Sequence, residues 1–248
     1  TLAGGGMSSL LARHLGAGSR TEAGAVFAGA HGLALAISAM LIVGALTVGS
    51  AIISALAAGN SAVAELARSY LLILILSAPI QFALGLHADA FRNEGRAGHI
   101  ALLSVLVNLL NIGANYVAIV LLGLGVAGSA LGTVGAQTFG LALLLVIRGR
   151  DCDLLPLGAL RHASWLSGWR QILSLGLPLC LTFVGMALVA STVILVIGTT
   201  AADHATYIAA YGVVTRLLGL AFLPQMAIAL STQSITGKGA RLTGRSWG

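Results

Sequence analysis

The sequence predicts a polytopic, all-α membrane protein, and three observations support this fold class. Hydrophobic residues make up 58% of the 248 positions and charged residues only 8%, far from the usual composition of a water-soluble domain. Apolar runs long enough to cross a bilayer recur along the chain, since about 20 residues of helix span its hydrocarbon core. Runs such as 71–76 and 141–147 are apolar at every position, which excludes the alternating pattern of a β-barrel strand.

Seven hydrophobic segments follow one another along the chain. The first is a stub over 1–12, and the others cover 24–50, 64–90, 98–121, 126–147, 171–197 and 205–235. Because Thr1 opens the sequence in what resembles the end of a span, with no initiator Met, we expect a fragment. Prolines interrupt three of the spans, and helices commonly bend at such residues; they are Pro79, Pro178 and Pro224.

Basic residues mark one end of the spans. The connections at the opposite end hold none, so the positive-inside rule places the basic set in the cytoplasm. Scattered between apolar spans, these charges argue against a nucleic-acid-binding surface although the net charge is +6. The set comprises most of the 13 Lys and Arg residues: Arg13, Arg20, Arg92, Arg96, Arg148, Arg150, Arg161, Arg170, Lys238, Arg241 and Arg245.

The longest polar connection, over 148–170, is interpreted as a cytoplasmic linker between two lobes. It separates an amino-terminal lobe over 1–147 from the start of a carboxy-terminal lobe over 171–248. A weak repeat supports this division, because Gly-x-Gly-x-Arg follows the first span at 16–20 and the last span at 237–241. Transporters are commonly built from structural repeats.

Polar side chains form a stripe on each helix of the hairpin over 98–147. A turn as short as 123–125 makes the two helices antiparallel neighbours. The members of each stripe recur at helical spacing, so each set lies on one face. Residues equidistant from Leu124 should lie at similar depth, which pairs Asn115 with Thr133 and Asn111 with Gln137. The stripes consist of Asn108, Asn111 and Asn115 on the first helix, and Ser129, Thr133 and Gln137 on the second.

Two interpretations of these stripes stay open. Amide carbonyls and a Thr hydroxyl are hard oxygen ligands suited to Na⁺. The site would lie near the middle of the membrane, about 13 Å from the turn at 1.5 Å per residue. The same side chains could instead join the two helices by hydrogen bonds, each worth about 0.6 kcal/mol.

The other polar residues at membrane depth suggest no enzyme. Asp89 and Arg92 are expected to pair at the cytoplasmic end of their span, and Arg216 either reaches the outer interface or faces an aqueous cavity. No nucleophile or paired-acid arrangement occurs, so we expect no catalytic residues, no metal beyond Na⁺ and no cofactor. Three histidines are isolated and lack metal-ligand spacing: His31, His87 and His204.

Several stretches resemble the MATE family, the multidrug and toxic compound extrusion antiporters. They read SLLARHLGAG at 9–18, NLLNIGANY at 108–116, GLGVAGSALGT at 123–133 and YGVVTR at 211–216, followed by Leu223-Pro224. Together they cover essentially the whole chain, and the block over 108–133 is the most specific. The resemblance implies twelve helices in two six-helix lobes, of which this chain resembles helices two to eight.

The resemblance also implies a function and a site. Members export organic cations and other toxic compounds by alternating access, driven by inward Na⁺ or H⁺. Sodium-linked members bind the cation with an Asn pair in the fifth helix, a Thr in the sixth and an Asp in the first. Asn111, Asn115 and Thr133 match the first three positions. The chain departs from the pattern in lacking the first helix with its Asp, a carboxylate over 171–197, and helices nine to twelve.

The first functional hypothesis is therefore a secondary multidrug antiporter in the plasma membrane, with the bacterial inner membrane as the expected location. A flippase of lipid-linked sugars from the same superfamily is the alternative; it would favour a cationic cavity, at which only Arg216 and Arg68 hint. A non-functional fragment is the third hypothesis. Organic cations and drugs are the expected substrates, while the choice of Na⁺ or H⁺ and the oligomeric state stay open.

Overall fold

Helices and short turns make up the described residues, and no strand occurs among them. The computed structural model describes residues 2–56, 61–151, 155, 158, 160, 164–200 and 204–243. A π-helical segment, Val117–Leu121, continues the sixth helix. The predicted all-α fold class is confirmed. The helices are α1 (Leu2–Ala17), α2 (Arg20–Thr47), α3 (Gly49–Leu56), α4 (Ser61–Leu76), α5 (Ala78–Asn93), α6 (Ala97–Tyr116), α7 (Gly125–Asp151), α8 (Trp169–Thr200) and α9 (His204–Thr243).

Several of these helices have the length and hydropathy of membrane spans. The bent pair Ala64–Leu76 and Ala78–Asn93 makes one such span if its two parts are counted together. In α9 the apolar part found among the described residues is shorter, Ala210–Phe222, so the last predicted span over 205–235 is not matched over its full length. The described residues contain four unbroken spans: Arg20–Thr47, Ala97–Leu121, Gly125–Arg150 and Trp169–Ile197.

The bend of 48° between α4 and α5 has a local cause. Pro79 lies in the first turn of α5, and a proline removes one N–H donor and crowds the preceding turn. Two side chains take over the carbonyl of Leu74, since Ser77 Oγ donates to it at 2.8 Å and Gln81 Nε2 at 3.1 Å. The predicted interruption at Pro79 is confirmed, and side chains satisfy the backbone where the helix breaks.

A glycine closes the turn after α1. Gly18 adopts a left-handed φ of 81°, and the N–H of Ser19 bonds back to the carbonyl of His14 at 2.9 Å, as in a Schellman cap. The second copy of the Gly-x-Gly-x-Arg motif, at 237–241, lies within α9, which stays helical to Thr243. A glycine permits a left-handed turn without requiring one.

The largest core cluster joins α1 and α2 to the beginning of α8. Its fully buried members include Met7, Phe27, Leu155 and Ile172. Where α1 crosses α8 the backbones touch, because a Cβ on Gly6 would overlap the carbonyl of Ile172. Small residues permit such close crossings between helices in membranes. Residues far apart in the sequence, on α1, α2 and α8, therefore share one core.

The predicted linker over 148–170 lies partly outside the described residues, which omit 152–154, 156, 157, 159 and 161–163. Arg161 of the predicted cytoplasmic set falls in this gap, and Arg245 lies beyond the last described residue. The division into lobes over 1–147 and 171–248 stays a prediction.

The described end of this connection rests on α2. Trp169 Nε1 donates to the carbonyl of Gly29 at 3.0 Å. A Cβ on Gly29 would overlap the carbonyl of Ser167, and a Cβ on Gly32 would overlap that of Trp165. The two glycines therefore let the chain that precedes α8 lie directly on the backbone of α2.

Candidate functional site

The helices α6 and α7 form the predicted antiparallel hairpin. Gly123 and Gly125 hold φ angles of 64° and 54° in its turn, a conformation that strains any residue with a Cβ. The N–H of Leu124 closes the turn by donating to the carbonyl of Ala118 at 3.0 Å. Beyond the turn α6 and α7 pack along each other, so side chains on their facing surfaces meet.

A directed chain of hydrogen bonds crosses this hairpin, and we call its members the amide cluster: Asn111, Asn115, Thr133 and the carbonyl of Ser129. Asn115 Nδ2 donates to Asn111 Oδ1 at 3.2 Å. Asn111 Nδ2 donates to Thr133 Oγ1 at 3.0 Å, and Thr133 Oγ1 donates to the carbonyl of Ser129 at 2.9 Å. The structure thus brings together the three residues predicted to bind a cation.

The amide cluster leaves an acceptor oxygen free. Within the described part of the chain, Asn115 Oδ1 is buried without a hydrogen-bond partner, and so is Oε1 of Gln137, one turn beyond Thr133 on α7. Buried polar atoms in proteins nearly always have a partner. A carbonyl oxygen only accepts, so the group that complements each of these atoms is a cation or a hydrogen-bond donor.

The predicted register of the two stripes is partly wrong. Asn111 bonds to Thr133, one helical turn away from its predicted partner Gln137. Asn115 lies against Gly132, next to its predicted partner Thr133. Counting residues from Leu124 treated both arms as α-helix, whereas the π segment places more residues in each turn and shortens the α6 arm.

The remaining residues predicted to line the site take part unequally. Ser129 contributes its main-chain carbonyl, and Gln137 Oε1 is buried without a hydrogen-bond partner among the described residues. Asn108 and Arg216 are exposed, and neither contacts the amide cluster among the described residues. A role for Arg216 in an aqueous cavity stays a prediction.

A second polar site, which we call the Arg148 cluster, comprises Arg148, Glu94, Phe27, Phe91 and the carbonyl of Leu155. Arg148 Nη1 lies 2.7 Å from Glu94 Oε1 and donates to the Leu155 carbonyl at 2.7 Å. The guanidinium carbon lies 4.4 Å from the ring centre of Phe91 and 5.2 Å from that of Phe27. The ion pair and the aromatic faces together compensate a charge that is shut off from solvent.

The prediction that His31 and His87 are isolated is wrong. Their ring centres lie 5.0 Å apart, and Phe27 contacts both rings at 4.6 and 5.3 Å. The crossing of α2 and α5 brings the two histidines together although 56 positions separate them in the sequence. The described residues contain no group of three or more His, Cys, Asp or Glu side chains placed to hold a metal ion.

The predicted pair of Asp89 and Arg92 is confirmed. Arg92 Nη1 lies 2.6 Å from Asp89 Oδ1, and the two side chains are 36% and 23% exposed. Solvent-accessible pairs of this kind contribute little to stability. The pair therefore differs in kind from Arg148 and Glu94, whose side chains are 0% and 1% exposed.

Comparison with known proteins shows what this chain is similar to. The family model described as MatE matches residues 1–117, a stretch that contains Asn111 and Asn115. A solved structure described as a crystal structure of MATE in complex with MaL6 superposes with a TM-score of 0.83 and 25% sequence identity over 96% of this chain. The chain is therefore similar to the MATE family in sequence over its first 117 residues and to solved MATE transporters in fold over most of its length.

Two curated relatives of this chain are both named multidrug and toxin extrusion protein 1. The protein from Rattus norvegicus is 30% identical over 123 residues, which is 47% of this chain. The protein from Oryctolagus cuniculus is 39% identical over 88 residues, which is 36% of this chain. The matched parts make up 20% and 15% of these relatives and 53% of the solved MATE chain. The chain thus spans about half the length of the solved structure.

Sequence analysis found the amide cluster but missed the Arg148 cluster. Arg148 was interpreted only as one of the basic residues that mark the cytoplasmic side. The sequence does suggest that Glu94 and Arg148 could pair. They have opposite charges, and they flank two consecutive spans, 98–121 and 126–147, on the same side of the predicted membrane. The sequence does not reveal that both side chains turn inward between Phe27 and Phe91.

Proposed function

We propose that this chain belongs to a MATE-type transporter that carries out secondary active export, in which organic cations or other toxic compounds are exchanged for Na⁺ or H⁺ by alternating access. The observation that carries the proposal is the amide cluster, whose free Asn115 Oδ1 lies between two helices that meet the criteria for membrane spans. The names of the two curated relatives, which refer to multidrug and toxin extrusion, support the substrate class. A plasma membrane, such as the bacterial inner membrane, is the proposed location.

The chemistry of the amide cluster favours Na⁺ as the ion that it binds. Amide and hydroxyl oxygens are hard neutral ligands that match a small hard cation. When the ion departs, they leave no unpaired charge buried in the membrane, where such a charge is costly. Asn and Thr side chains do not titrate near neutral pH, so these groups cannot themselves carry a proton. A neutral site of this kind suits an ion that must bind and leave in every transport cycle.

Ethidium efflux from proteoliposomes under an imposed Na⁺ gradient tests the proposal. Asn115→Ala and Thr133→Ala should each reduce Na⁺-driven efflux by about tenfold or more, in the range seen when groups that support a metal site are removed. Matched controls lie on the same two helices. Asn108→Ala removes an exposed amide from α6, and Thr138→Ala removes a hydroxyl that donates only within α7, to the Val134 carbonyl at 2.7 Å.

The outcomes separate the hypotheses. If both site variants showed the same efflux as the wild type, Asn115 and Thr133 would serve only to join α6 and α7 by hydrogen bonds. A protein that exports no ethidium under either a Na⁺ or an H⁺ gradient, but moves a lipid-linked sugar, would support the flippase alternative. That alternative rests on the exposed Arg216 and Arg68.

A further inference from the structure

Three glycines on α7 lie along the amide cluster at successive turns, and their surroundings differ. A Cβ built on Gly128 would lie 3.0 Å from the Ala118 carbonyl oxygen, and one on Gly135 would meet nothing within 4 Å. A Cβ on Gly132 would overlap Asn115 Oδ1 and lie 3.0 Å from the Asn115 nitrogen. Of these three glycines, Gly132 is the one that touches a side chain of the amide cluster.

The Asn115 carboxamide is fixed from two sides. Its Nδ2 donates to Asn111 Oδ1, so its Oδ1 faces Gly132. The opposite assignment of the amide would place two carbonyl oxygens against each other at Asn111, where neither has a hydrogen to donate. The free oxygen of the cluster is therefore the atom that lies against the bare backbone at position 132.

A methyl group at position 132 would be too close to several neighbouring atoms. The backbone of Ala114 and Asn115 would lie 3.2 and 3.0 Å from it, and that backbone is held by the hydrogen bonds of α6. The atom that can yield is the Asn115 side-chain oxygen. Displacing it would also strain the bond from Asn115 to Asn111.

We propose that Gly132 is a positioning residue of the cation site, whose missing side chain keeps Asn115 Oδ1 against α7 and available as a ligand. The inference rests on the proposed function, in the form in which Na⁺ is the ion bound. The π segment Val117–Leu121 begins two residues after Asn115, and π turns within helices are frequent at functional sites. It continues the same surface of α6 toward Gly128.

The test measures the Na⁺ concentration that gives half-maximal ethidium efflux by the whole protein in liposomes. Gly132→Ala should raise this concentration about 10- to 100-fold, while the maximal rate at saturating Na⁺ is largely kept. Gly135→Ala adds the same methyl group three positions along the same helix and should leave the value within about twofold. A methyl group that only disturbed folding would lower the maximal rate and the yield without shifting half-saturation.

A double variant gives a second arm. Gly132→Ala should add no further shift in an Asn115→Ala background, because the oxygen that it displaces is already gone. Where efflux by a variant is too slow to titrate, the rise of its Tm with Na⁺ concentration gives the same comparison, because the stabilisation at Na⁺ concentration c grows as ln(1 + c/Kd). If the Na⁺ concentration for half-maximal efflux were the same in Gly132→Ala and Gly135→Ala, the inference about Gly132 would be overturned, while the proposed function would stand. A wild-type protein that neither binds Na⁺ nor depends on it would overturn the proposed Na⁺ site together with the inference.

Discussion

The amide cluster is neutral, whereas the Arg148 cluster holds two full charges, and both lie between helices of one membrane protein. Among the described residues, the amide cluster leaves one carbonyl oxygen, Asn115 Oδ1, without a hydrogen-bond partner, and the Arg148 cluster leaves the donors Nε and Nη2 of Arg148 without one. A neutral cluster gains or loses a cation with little change in its own solvation, while a buried ion pair is costly to take apart. The first arrangement suits exchange, and the second suits a permanent contact.

The largest loss of stability is expected when the buried ion pair of Glu94 and Arg148 is broken. Glu94→Gln leaves the Arg148 charge buried beside a neutral amide and should lower the free energy of unfolding by about 3–5 kcal/mol. Thermal and denaturant unfolding of the purified protein in detergent would measure it. Asp89→Asn, at the partly exposed pair with Arg92, is the matched control and should cost about 1 kcal/mol or less. Similar losses in the two variants would contradict the distinction between the clusters.

A smaller effect is expected when the neutral cluster is given a charge. Asn115→Asp places a carboxylate where no described basic group faces it, and it should lower the free energy of unfolding by about 1–3 kcal/mol in choline chloride. Na⁺ at about 100 times its Kd should restore about 2.7 kcal/mol. The exposed Asn108→Asp on the same helix should show no such dependence on the cation. A Tm of Asn115→Asp that is equal in Na⁺ and choline at the same ionic strength would argue against a cation site.

The smallest effect on stability is expected when a single neutral hydroxyl group is removed from the amide cluster. Thr133→Val keeps the shape of the side chain and deletes the hydroxyl that links Asn111 to Ser129, which should cost about 0.6 kcal/mol of stability. Thr138→Val serves as the reference, because its hydroxyl bonds only within its own helix. A loss as large as that of Glu94→Gln would mean that the amide cluster holds the fold together.

Sequence analysis could predict the hairpin and its polar stripes because both depend on local spacing. The short turn at 123–125 forces α6 and α7 together, and helical periodicity then puts Asn111, Asn115 and Thr133 on facing surfaces. The interruption at Pro79 was predictable for the same reason, since a proline acts on the turn in which it stands. These features need no knowledge of how distant helices pack.

The features that sequence analysis missed depend on contacts between distant residues or on a local change of helix type. Arg148 and Glu94 are 54 positions apart, and only the packing of α5 against α7 shows that their charges are buried. The contact between His31 and His87 likewise follows from the crossing of two helices. The register of the hairpin was missed because a π segment rather than α-helix ends its first arm.

The core shared by Met7, Phe27 and Ile172 sets an order for biosynthesis. When the chain has been made only as far as α7, both α1 and α2 exist, but Ile172, which covers Gly6, has not yet entered the membrane. A Cβ on Gly5 would also approach Leu179, further along α8. The surface of α1 that carries Gly5 and Gly6 must therefore contact lipid or an insertion factor until α8 enters the membrane and packs against it. Closure of this core therefore follows the synthesis of α8, although α1 and α2 are made well before it.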